Sequence, residues 1–172
     1  AWAKGVRAGK RGPYVGHVFV EVFVGGKWRD EEAWPIERAE ATLLYLTVSG
    51  DLTPQSPSTQ ERTDYQYDPA NPQPSAPDPR QPEELFPRGG FDLRGHPDAP
   101  YCVDGRPLAA RQDVLVYATE PLAKPVEVTG RAKVTLWVSS TGVDTDFPAR
   151  LVDWYPANPD YPQGYALELC QT

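Results

Sequence analysis

Methionine is absent from this sequence of 172 residues, and cysteine and histidine occur twice each. Without an initiator methionine, the chain is expected to be a piece cut from a longer one. Cys102 and Cys170 stand far apart, and two cysteines define no disulfide framework. Whether they pair is left open, and Cys170, near the end of an alternating strand, reads as a buried free thiol. The scarcity of histidine restricts imidazole base chemistry to His17, at a strand start, and His96, within HPDAP. There is no His and Cys cluster for zinc and no glycine-rich cradle for a phosphate. No apolar run approaches the ~20 residues needed to span a bilayer, and the N-terminal AWAKGVRAGKRGPY lacks the apolar centre of a signal peptide. No membrane partner is expected. Positive charge is also scarce: a net charge of -7 and a pI near 4.8 argue against nucleic-acid binding, which wants a basic footprint.

What the chain does have is aromatic rings, prolines and short alternating runs. Five Trp, nine Tyr, five Phe, 20 Pro and 14 Gly, with few long helical patterns, point to many short strands linked by turns. The length suits about one domain. Val18, Val20, Val22 and Val24 alternate with Phe19, Glu21 and Phe23, a strand that ends at Gly25-Gly26. An acidic loop, KWRDEEAWP, is expected next, with Arg29 pairing at the surface to Asp30, Glu31 or Glu32. Residues 41–48 read as a further strand, closed by Ser49-Gly50-Asp51. Residues 53–105 form a proline-rich loop, with eleven of the 20 prolines between Pro54 and Pro100. Tyr65, Tyr67, Leu85, Phe86, Phe91 and Leu93 make it too apolar for a free linker, so it should dock. Its P-x-x-P spacings, Pro54 to Pro57 and Pro69 to Pro72, are better explained by a stiffened loop than by an SH3-type ligand.

The second half holds the central element. Residues 113–117 read as a buried strand and 126–128 as the start of another. In 134–155, Val134, Leu136 and Val138 alternate with Thr135, Trp137 and Ser139. A turn rich in Thr141, Gly142, Asp144 and Asp146 follows, and then the β-branched and aromatic run 149–155. These two strands are expected to pair as an antiparallel core hairpin. Residues 165–170 alternate again.

Catalytic machinery is hard to find. A serine hydrolase of the α/β type places its nucleophile in G-x-S-x-G, with a His base and an acid. Ser56, Ser58, Ser75, Ser139 and Ser140 all lack that setting. Asp144, Asp146 and Asp153 have oxygen ligands for Ca²⁺ but not the spacing of an EF-hand loop, and turn bonds explain the first two more cheaply.

The run DTDFPARLVDWYP, Asp144 to Pro156, resembles the signature of the C-terminal domain shared by the X-Pro dipeptidyl-peptidase and cocaine esterase family of serine hydrolases. GGKWRDEEAWP (Gly25 to Pro35), YDPANPQP (Tyr67 to Pro74) and RPLAARQDVLVYATEPLAKPVEVTG (Arg106 to Gly130) fall in the family's order. The resemblance implies an all-β fold, a jelly-roll β-sandwich of the galactose-binding-like kind, incomplete at its C-terminus. Residues 1–16 would then be the tail of a preceding hydrolase domain or a crossover, poorly ordered by itself, and 17–172 the jelly roll. The family's Ser, Asp and His come from the hydrolase domain, so the resemblance implies no catalytic residue, metal or cofactor here. It implies instead a partner, the α/β-hydrolase catalytic domain of the same parent, which would cleave a small ester, amide or peptide substrate through an acyl-serine. The loop after the YDP run would wall the substrate pocket, with Leu85 and Phe86 as the candidate residues. Homo-oligomerisation and compartment are left open, the cytoplasm slightly favoured. The main rival is a free-standing carbohydrate- or ligand-binding β-sandwich, which would need Trp28, Trp34, Trp137 and Trp154 on one flat platform. A third reading, an autonomous enzyme using His96, would need that loop to form a site.

Overall fold

The computed structural model describes residues 6–9, 19–24, 27–73, 92–94 and 107–171, the first 28 of the chain by backbone alone. Among them the fold is all-β: seven strands, one 3-10 turn and no α-helix. The chain divides into two compact units, Ala1–Thr59 with Tyr117–Lys133, and Gln60–Val116 with Val134–Thr172.

The first unit is built on an antiparallel meander, β1 (Val6–Gly9), β2 (Phe19–Val24) and β3 (Lys27–Glu31). The valine alternation does form β2, in register with β3 from Val20↔Glu31 to Val24↔Lys27. Two expectations change here. The 1–16 segment contributes β1, paired with β2, and the acidic run after Gly25-Gly26 is a strand for its first five residues. Backbone pairing with β2 outweighs the poor strand propensity of KWRDE, because each ladder bond satisfies a polar group on both strands.

Of the strand expected over 41–48, Tyr45–Leu46 alone is paired, as β4, with β5 (Leu52–Thr53). The hairpin turn between them is set by Gly50, at φ +88°, and by Asp51 N–H donating to Thr47 Oγ1 at 3.0 Å. Residues 117–133 join this unit through a parallel bridge, Asp51↔Ala118. Residues 126–128, read as a strand start, have one bridging position at Val128.

Charge fastens the unit. Strand β3 puts Arg29 and Glu31 on one side by its two-residue period. Glu31, 8% exposed, accepts from Arg29 Nε at 2.5 Å and from both terminal nitrogens of Arg38. Arg29 also bonds Glu127 at 2.6 Å. The expected surface pairing of Arg29 is thus replaced by a shared, largely covered carboxylate. The Arg38 hydrogen bonds, against the cost of burial and helped by Arg29, pull the Glu31 carboxyl down to about 2.

The second unit centres on the hairpin of β6 (Arg150–Tyr155) and β7 (Tyr165–Gln171). Both ranges were legible in the sequence, but the pairing was not. Residues 134–139 are not β6's partner; β7 is, from Tyr155↔Tyr165 to Arg150↔Gln171. A bulge between Leu151 and Val152 leaves Leu169 as the extra residue on β7. Residues 131–140 lie in no strand, and Val134, Leu136, Trp137 and Val138 are all exposed. Alternation specifies a strand only where a ladder and a covering layer exist, and the described residues supply neither to this run. Residues 113–117 likewise form no strand; Val114 packs inward while Leu115 and Val116 are exposed.

Pro156 ends β6, and the loop to β7 is held by Asn158. Its Oδ1 accepts from the Asp160 and Tyr161 amides at 3.0 and 2.9 Å, and its amide donates to the Pro156 carbonyl. Gly164 closes the loop at φ +74°, where a Cβ would stand 2.7 Å from the Tyr155 carbonyl. The rings of Tyr155, Tyr161 and Tyr165 pack over this end, with Tyr161 and Tyr165 stacked at 5.1 Å.

The core is Leu93, Leu108 and Ala166, with Val114 and Val152 against it. Asp92 assembles it. Its Oδ1 accepts from Ala166 N–H at 3.2 Å and Arg94 N–H at 3.1 Å, while Oδ2 meets Arg94 Nη2 at 2.5 Å. Leu93 N–H then donates to the Ala166 carbonyl at 2.9 Å, seating Leu93 against β7. Arg94 lies 5.5 Å over the Tyr165 ring. Leu93, expected to dock from the proline-rich loop, does so; Tyr65 and Tyr67 stay exposed. Phe91, Leu85 and Phe86 lie outside the described residues. Cys170 is exposed, not buried: it stands near the end of β7, paired with exposed Leu151.

Two outcomes are expected. Gly164→Ala combines a disfavoured φ with a carbonyl clash and lowers stability by roughly 1–3 kcal/mol in urea unfolding; an unchanged midpoint would contradict the loop geometry. Glu31, whose folded value lies below its ordinary 4.5, stabilises the fold fully above that pH, and the contribution disappears as pH falls toward about 2. Thermal unfolding between pH 5 and pH 2 is therefore steeper in pH for the wild-type chain than for Glu31→Gln, and equal slopes would count against the cluster.

Candidate functional site

Leu85 and Phe86, the candidate pocket wall, lie outside the described residues, as do His17, His96, Cys102 and Ser75. Ser139 and Ser140 are exposed, and Ser140 Oγ accepts from Gly142 N–H at 3.0 Å, a turn bond. Ser56 and Ser58 are also exposed. Asp144 and Asp146 are exposed in the turn before β6, and Asp153 is half-buried on β6. Among the described residues no three His, Cys, Asp or Glu side chains are grouped to hold a metal ion, and no helix is long and apolar enough to cross a membrane.

Trp34 is half-buried in the first unit, while Trp137, 93% exposed, and Trp154, 62% exposed, belong to the second. The side chain of Trp28 lies outside the described set.

One recess opens in the second unit, of about 300 Å³, lined by Gln66, Asp68, Asn71, Arg111 and Asp113. Its walls are two chain segments stapled by a guanidinium. Arg111 grips Asp113 through Nε and Nη2 at 2.7 Å each, and its Nη2 donates to the Asn71 carbonyl at 2.6 Å. Asp68 forms the turn beneath, its Oδ1 accepting from Ala70 N–H at 2.9 Å. The Arg111 hydrogen bonds hold Asp113 below the usual carboxylate range. The acid is fixed in its charged form, suited to holding a loop and not to donating a proton near neutral pH. Among the described residues no Ser, Cys or His lines the recess.

The same arrangement recurs. Arg29 and Glu31, Arg62 and Asp64, Asp92 and Arg94, and Arg111 and Asp113 are all opposite charges two residues apart that meet as ion pairs. In extended chain, that spacing brings both side chains to one side. Sequence reading noticed Arg29 and passed over the other three, although the spacing was visible. Only their burial separates them: Arg62 and Asp64 are open to solvent and worth little, whereas Asp92 and Asp113 are covered. Burial raises Asp92, but bonds from Arg94 and the Ala166 amide bring it below its ordinary value.

Ion pairs and turn bonds account for these charged groups. A family model described as the X-Pro dipeptidyl-peptidase C-terminal non-catalytic domain matches residues 8–167. Cocaine esterase of Rhodococcus sp. (strain MB1 Bresler) is 39% identical over 162 residues, which cover 88% of this chain and 25% of that protein. The chain thus spans about a quarter of the length of the curated relative it matches. No solved structure matches the chain. With nearly the whole sequence inside the family model, the chain belongs to the family of X-Pro dipeptidyl-peptidase C-terminal non-catalytic domains.

Proposed function

We propose that this chain is the accessory domain of a larger serine hydrolase related to cocaine esterase, and that it packs against the α/β-hydrolase catalytic domain of the same parent. The observation that carries the reading is the match of a non-catalytic domain family to residues 8–167, in a chain a quarter as long as its catalytic relative. The exposed apolar run supports it. Val134, Leu136, Trp137 and Val138 present their side chains to solvent, and a contiguous apolar strip is costly unless another surface covers it. Tryptophan at the centre of such a strip is a common anchor.

In this reading residues 17–172 belong to a jelly roll, residues 1–16 lead in from the catalytic domain and lend β1 to its first sheet, and the proline-rich loop at 53–105 reaches the substrate pocket with Leu85 and Phe86 as wall residues. The parent's nucleophilic serine, base and acid come from the catalytic domain. The bond cleaved is an ester, amide or peptide bond, through an acyl-serine intermediate.

The test is fluorophosphonate labelling followed by mass spectrometry. The 172-residue chain stays unlabelled, and the full-length parent takes up one probe on a serine outside this domain. Covalent modification of a serine within this chain would overturn the reading.

A further inference from the structure

Glu31, Asp92 and Asp113 are each closed on a guanidinium, and Glu168 departs from that pattern. It lies on β7 two residues after buried Ala166, so the two share a side of the strand, and its cross-strand neighbour is Val152, which packs on the core. Its side chain is 6% exposed. Its Oε2 has no hydrogen-bond partner and sits 3.7 Å from Arg150 Nε, an ion-pair distance too long for a hydrogen bond. Arg150 is drawn elsewhere at the same time, toward Gln171 Oε1 at 3.4 Å and Gln73 Oε1 at 3.5 Å. The bulge at Leu169 lies immediately beyond Glu168.

The surrounding charges give no further help. From the segment on the other edge of β7, Asp92 and Arg94 face each other; from the 107–114 segment, Arg111 and Asp113 do the same. Among the described residues Arg150 is the charge that faces Glu168. A buried carboxylate with an orphaned oxygen pays desolvation that a single long ion pair does not offset. A carboxylic acid at the same place carries no charge to desolvate.

We propose that Glu168 is a proton-linked latch on the β6–β7 hairpin: it takes a proton from solvent as the chain folds, and its ionisation loosens the bulged end of the hairpin. Burial pushes the Glu168 carboxyl up, with Arg150 opposing. The direction in pH is the reverse of that for Glu31, Asp92 and Asp113. A group raised on folding leaves the fold unpenalised below its ordinary value, and stability is lost as pH rises through the raised one. The two kinds of acid therefore act on stability in opposite directions as the medium is acidified.

The experiment is thermal unfolding of the 172-residue chain from pH 4 to pH 8, wild type against Glu168→Gln, Glu168→Met and Arg150→Met. Glu168→Gln removes the charge and keeps the shape. It is expected to raise Tm by about 2–4 °C at pH 8 and to leave it unchanged at pH 4. Glu168→Met shows the same rise at pH 8, which separates charge from amide hydrogen bonding. Arg150→Met loses its Gln73 and Gln171 contacts at every pH, and loses further at pH 8, where it no longer attenuates the carboxylate. A fall in Tm at pH 8 for both Glu168 variants would make the carboxylate a structural anion and overturn the proposal. A shift of equal size at pH 4 and pH 8 would overturn it as well.

Discussion

The Asp92 carboxylate is the contact on which the second unit depends. A segment of three described residues, Asp92 to Arg94, has no strand of its own, yet it supplies one of the three core residues. What fixes it is the reach of one side chain across to the Ala166 amide, with Arg94 turning back to neutralise it. Leu93 is then delivered against Ala166, and Leu108 N–H donates to the Leu93 carbonyl, bringing in the third segment. Apolar burial stabilises the arrangement, at about 1.5–3 kcal/mol for a fully covered leucine. The carboxylate selects which leucine is covered.

The same economy of means runs through the chain. Loops and short strands are fastened by guanidinium and carboxylate groups spaced two apart, supplemented by Asx turns at Asp68 and Asn158. Arginine suits this use because its planar fork grips a carboxylate and still has donors for a backbone carbonyl, as Arg111 does with Asp113 and Asn71. Glu31, Asp92 and Asp113, held in this way below their ordinary values, stay charged and serve as fixed points. The family to which the chain belongs is described as non-catalytic.

Legibility in the sequence followed the range of each interaction. Strands β2, β6 and β7 could be read from alternation and from the proline that stops β6, because these signals are local. Strand β3 was missed, since KWRDE has little strand propensity and forms through its register with β2. The pairing of β6 with β7 was missed because the preceding run, 134–139, is closer along the chain and equally alternating. Adjacency in sequence was taken for adjacency in the sheet. Glu168 went unnoticed because Leu167 and Leu169 flank it and make their side of β7 look like the core side, whereas Ala166 is the buried residue. The family could be read because its four motifs are long and ordered. The candidate pocket residues Leu85 and Phe86 rested on that resemblance alone.

The proposed packing of the exposed run around Trp137 against the rest of the parent protein is open to direct measurement. Hydroxyl-radical footprinting tests it most directly, comparing oxidation of Trp137 in the 172-residue chain and in the full-length parent. The account predicts rapid oxidation of Trp137 in the chain alone and strong protection in the parent, with exposed Val143 serving as the internal reference. Equal oxidation of Trp137 in both would contradict it.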